Sequence, residues 1–174
     1  MASLIMDFIS RIYAEYVGAN LILFNMLSFI ELLFFSLFFY QSLDSRRFSI
    51  IAFCIGATYV LIEFLLIYND SWQTFQSYSK AIVAFLLVGL ALISILSQIL
   101  QEKEVEDKSI KYGVIFYFSM EFILLLPMNY LINAKSEYVV FLWATRLVVI
   151  FVFYLIIIHY LWSLGRTKKL LPSG

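Results

Sequence analysis

Apolar residues run through this chain in long blocks separated by short polar stretches. The first block, residues 20–40 (NLILFNMLSFIELLFFSLFFY), has about the 20 residues that a helix needs to cross the hydrocarbon core of a bilayer. Further blocks follow at about 48–67, 81–100, 112–132 and 138–164. Each predicts a transmembrane helix. The chain therefore reads as an all-α, polytopic helical membrane protein with five full spans, forming a single integral membrane domain over 1–174. Between the blocks lie QSLDSRR, YNDSWQTFQSYSK, QEKEVEDKSIK and NAKSE, polar enough for solvated loops and too short for domains. Trp72 and Tyr78 suit an interfacial aromatic belt.

Ahead of the first span, residues 3–16 (SLIMDFISRIYAEY) follow an amphipathic helical period. Ile5, Phe8, Ile9, Ile12, Tyr13 and Tyr16 share one face, and Ser3, Asp7, Ser10, Arg11, Ala14 and Glu15 the other. Two readings fit: a helix lying flat in the interface, or the outer end of a partial span. No basic segment followed by a short apolar core and a small-residue cleavage site marks a signal peptide.

Composition agrees with the pattern. Hydrophobic residues make up 63% of the chain and charged ones 14%, against about a quarter charged in soluble domains. Mean hydropathy is +0.93. The formal net charge of zero offers no basic surface for nucleic acid. The single Cys54 and single His159 leave no internal disulfide and no thiol or histidine cluster for a metal, and no cofactor is expected. G-x-S-x-G, H-E-x-x-H, P-loop and G-x-G-x-x-G patterns are all missing, so the sequence gives no reason to expect an enzyme.

Basic residues set the expected orientation. Arg46, Arg47, Lys103, Lys108, Lys111, Arg166, Lys168 and Lys169 fall on one side, against Arg11, Lys80 and Lys135 on the other. The first side, with the C-terminus, is expected in the cytoplasm and the protein in the inner membrane.

Ionisable residues inside the spans are the candidate functional groups. They are Glu31, Glu63, Glu121 and Arg146, with Asn25, Ser28, Tyr59 and Tyr117 in support. A charge at the centre of a spanning helix costs roughly 2.5–3.5 kcal/mol on insertion scales, so each needs a partner, a proton or water. Glu31 lies about 16 Å into its span, near the midplane. Asn20, Ser28 and Glu31, with Asn25 at the edge, form a stripe that must face protein or water. Tyr59 and Glu63 share a face by i, i+4 spacing, as do Tyr117 and Glu121. Gly56 and Gly113 precede these pairs, two matches too short to establish an internal repeat. Estimated depth pairs Glu63 with Arg146 near the outer boundary and leaves Glu31 and Glu121 with no cation at their level. One or both are expected to be protonated at neutral pH if they face one another. Ala52 with Gly56, and Ala84, Ala91, Ser94 and Gln98, predict helix-packing faces. Pro127 is expected to kink the fourth span. His159 is placed in the inner interface beside Tyr160 and Trp162.

The run ISRIYAEYVGANLILFN, continuing to IELLFFSLFFY, with FQSYSK before the third span and YGVIFYFSMEF in the fourth, resembles uncharacterised inner-membrane proteins common in Bacteroidota. The resemblance covers most of the chain. It implies a seven-helix pattern with an outside N-terminus, of which the first one and a half helices are not in this sequence. A Phe-Trp pair usual near the start of that group's penultimate span is missing. The resemblance implies no activity.

Two functions are expected from these readings. One is a non-enzymatic membrane module that senses, scaffolds or regulates through helix contacts. The other is a small proton- or cation-conducting transporter or channel subunit with Glu31 and Glu121 on its path. The expected partners are the lipid bilayer and either further copies of the chain or another membrane protein.

Overall fold

The structure, a computed structural model, describes residues 21–43, 46–69, 78–102, 107–134 and 136–169. The amphipathic stretch at 3–16 lies outside the described residues. Within them the chain is five helices: α1 (Leu21–Ser42), α2 (Arg46–Asn69), α3 (Tyr78–Leu100), α4 (Lys108–Asn133) and α5 (Tyr138–Lys169). All five are long and apolar enough to cross a membrane. Hydrocarbon offers no partner for a backbone N–H or C=O, so an apolar block of this length is stable there only when the helix ladder satisfies its own peptide groups.

Three helices start earlier than the apolar blocks suggest: α2 at Arg46, α3 at Tyr78 and α4 at Lys108. Charge ended each apolar block, yet charge does not stop a helix that emerges from the hydrocarbon. Ser79, Lys80 and Lys111, read as loop residues, are helical and buried. α4 runs unbroken through Pro127 to Asn133.

Short connections make neighbours antiparallel. We call the end where α1, α3 and α5 begin the upper end. α2 packs on α1 and α3, α3 on α4, and α4 on α5. α1 is the hub and reaches the other four helices through side chains. Leu32 meets Gly56 of α2, Asn25 meets Ser79 of α3, Glu31 meets Tyr117 of α4, and Phe35 meets Phe153 of α5.

Helices in lipid gain little by hiding apolar surface from one another, so close approach over small residues carries the packing. Ala52 and Gly56 are buried as the sequence predicts, and a Cβ on Gly56 would come within 2.8 Å of Leu32 Cδ2. Gly113 is equally tight, its Cβ position 2.8 Å from Ile156 Cγ2 of α5. Ala84, Ala91, Ser94 and Gln98 line the buried face of α3.

Two polar layers are separated by an apolar one. At the lower end Lys111 Nζ donates to Gln98 Oε1 at 2.9 Å. Tyr160 O–H donates to Asp107 Oδ1 at 2.8 Å, tying the end of α5 to the start of α4. Above them, rings from three helices interlock. Phe35 meets Phe118 edge-on with centroids 5.2 Å apart, and Tyr117 stacks on Phe153 at 4.3 Å. The upper polar layer contains the candidate site.

Candidate functional site

The upper layer is a buried charge network with contributions from every helix. α1 brings Asn25, Ser28 and Glu31 on one stripe, all buried, as a polar stripe in lipid requires. Ser28 satisfies itself by donating to Phe24 O at 2.8 Å. α2 brings Glu63, α3 Ser79 and Lys80, α4 Tyr117 and Glu121, and α5 Arg146. Lys80 and Arg146 are each 1% exposed and Glu121 not at all.

Arg146 is the firmest pairing. Its Nε–H donates to Glu121 Oε1 at 2.8 Å across α4 and α5. Its guanidinium lies 5.3 Å from the Phe24 ring centre and 5.2 Å from that of Trp143, so aromatic faces cover a charge already matched to a carboxylate. Lys80 Nζ lies 3.5 Å from Glu31 Oε2 and 4.0 Å from Glu121 Oε2. Tyr117 O–H donates to Glu31 Oε1 at 3.3 Å. The ammonium of Lys80, although sealed from the outside, makes no hydrogen bond among the described residues, and neither does Glu121 Oε2.

Glu63 is held differently. Its carboxylate accepts the backbone N–H of Ser79, whose hydroxyl donates to Asn25 Oδ1. The first N–H groups of a helix have no partner within the helix and carry the positive end of its dipole. Glu63 thus caps α3 from a neighbouring helix and needs no cation.

Four expectations are corrected. Glu63 does not pair with Arg146. Estimated depth set Arg146 apart from Glu121, yet the two bond directly, and Glu63 faces other neighbours, since α2 lies against α1 and α3 while α5 lies against α4. Glu31 and Glu121 do not lack a cation, because Lys80 serves both and Arg146 serves Glu121. Tyr59 does not accompany Glu63 into the core. It is 36% exposed, whereas Tyr117 is buried, so the two Tyr–Glu spacings are not equivalent. Lys80 and Lys111 do not belong to the loops. A signal for Lys80 existed in the sequence: three acids within the spans against one arginine implied a missing cation, and Lys80 lies at the edge of a span. His159 is exposed near the lower end of α5.

Chemically, the layer sets three carboxyl groups against two cations, with unused hydrogen-bonding capacity on Lys80 Nζ and Glu121 Oε2 among the described residues. No group of three His, Cys, Asp or Glu side chains converges as a metal site among the described residues. Compared with family models, curated proteins and solved structures, the chain matches none.

Proposed function

We propose that the chain is a non-enzymatic integral membrane module that senses or regulates through the packing of its helices, with the upper charge network as the responsive element. The observation that carries this reading is that every one of the five helices gives a polar group to the same layer. A change of charge at one member, by a proton or a bound ion, alters contacts across the bundle. The interlocked rings of Phe35, Phe118 and Phe153 close the interior directly below, which favours a site that responds over one that conducts.

A proton- or cation-conducting subunit is the second reading. Lys80, held between two carboxylates without a hydrogen bond, supports it. Flux assays in proteoliposomes separate the two. We expect no proton or potassium movement above that of protein-free vesicles across pH and voltage. Flux in sealed vesicles that disappears in Glu31→Gln or Glu121→Gln would overturn the module reading. Amide exchange in nanodiscs tests the coupling itself. Lys80→Met should loosen α5, which Lys80 reaches through Glu121 and through the Phe24 ring, as well as α1 and α3. Changes confined to α1 and α3 would count against a responsive network.

The same reading places the protein in the inner membrane with its lower end and C-terminus in the cytoplasm. With Lys80 and Lys111 inside the bundle, the lower side keeps Arg46, Arg47, Lys103, Lys108, Arg166, Lys168 and Lys169, against Arg11 and Lys135. The charge bias survives this correction.

A further inference from the structure

An apolar groove of about 310 Å³ opens between α1 and α2 in the lower half of the bundle, away from the charge network. Leu33, Leu37 and Tyr40 of α1 and Ile50 and Phe53 of α2 form its walls. Leu33 to Tyr40 is seven residues, about 10 Å along the helix, so the groove stays within one leaflet. Leu33, Leu37 and Ile50 are exposed, which turns the groove toward lipid. Its floor is not wholly apolar. Ser49 Oγ–H donates to Ser36 O at 2.5 Å, while Ser36 Oγ, itself buried, has no hydrogen-bond partner among the described residues.

The mouth of the groove is cationic. Arg46 lies over the Tyr40 ring at 5.1 Å, and Arg47 follows it, both exposed in the first turn of α2. No acidic residue occupies that turn. Two exposed guanidiniums in the first turn of a 24-residue helix, at the positive end of its dipole, favour a phosphate there. An apolar trough one leaflet deep, with an arginine pair at its interfacial end, matches one amphiphile: an anionic phospholipid. We propose that the α1–α2 groove binds an anionic phospholipid, one acyl chain lying along Leu33, Leu37 and Phe53 and the phosphate held by Arg46 and Arg47. The chain's ester oxygen is the acceptor available to Ser36 Oγ. A zwitterionic lipid would place its choline against the same arginines and bind less well.

Native mass spectrometry of the purified protein tests this, after release from nanodiscs of phosphatidylcholine with one-tenth phosphatidylglycerol. Wild type should retain one phosphatidylglycerol in preference to phosphatidylcholine. Arg46→Gln with Arg47→Gln should lower that preference by roughly fivefold for each charge removed. Arg46→Lys with Arg47→Lys should keep most of it. Ile50→Trp, at an exposed wall position that a larger side chain can occupy without entering the core, should reduce retention of both lipids. Retention of the two lipids by wild type in the one-to-nine ratio of the nanodisc would overturn the proposal, as would a preference unchanged in the glutamine variant. If the glutamine variant loses its helical circular dichroism, the lysine pair and the Ile50→Trp protein still decide the question.

Discussion

Lys80 lies between carboxylates on two different helices, and its removal leaves both short of positive charge. Taking one partner from a buried ion pair strands the other in a medium that cannot solvate it. Lys80→Met should therefore cost about 3–5 kcal/mol, measured by unfolding in mixed micelles, and Lys80→Met with Glu31→Gln should recover part of that loss. The same logic ranks the arginine pairs. Glu121→Gln and Arg146→Gln should couple by about 1–3 kcal/mol in a double-mutant cycle, because they share a 2.8 Å bond. Glu63→Gln and Arg146→Gln should add within about 0.5 kcal/mol. Strong coupling in the second cycle would restore the pairing that depth alone suggests. Depth counted from residue number at 1.5 Å each depends on where a span begins, and the apolar blocks misplace those edges. The neighbour that a side chain faces depends on which helices touch, and residue number does not encode that.

At the level of helices, more was legible. Runs such as 20–40 locate α1 almost to its ends, since an apolar run of that length has one stable conformation in lipid. The buried stripes through Asn25, Ser28 and Glu31, and through Ala84, Ala91 and Ser94, follow from helical period because polar and small residues avoid lipid. Span edges were less legible. Lys80 and Lys111 have long aliphatic stems, so each stays compatible with a helix that runs past the boundary of the apolar block. The two tight glycines separate in their consequences. A methyl on Gly56 meets the flexible end of Leu32, while one on Gly113 meets the Cβ-attached methyl of Ile156, a stiff branched side chain. Gly113→Ala should destabilise by about 1–3 kcal/mol through overpacking, and Gly56→Ala by less. Equal midpoints for the two variants in a thermal unfolding series would refute the distinction.

For the molecule as a whole, orientation is the most direct prediction. A fluorescent protein fused after Gly174 should be bright in the cytoplasm, and an alkaline phosphatase fusion at the same place inactive. The reverse result would invert the bundle and put the Arg46–Arg47 pair in the outer leaflet. The charge layer also bears on how the protein is made. Read along the chain, its members emerge as Glu31, Glu63, Lys80, Glu121 and Arg146. Glu31 therefore enters the membrane well before its cation exists. Glu121 arrives when only Lys80 is available, in the least apolar of the five helices. Arg146 follows one helix later and completes the set. A nascent chain halted after Asn133 would hold two midplane acids against a single ammonium, so α4 should slip back toward water until α5 arrives. α4 and α5 would then leave the translocon as a pair. Measuring membrane integration of chains stalled before and after Arg146, with Glu121→Leu as the control that removes the dependence, would time that step on the ribosome.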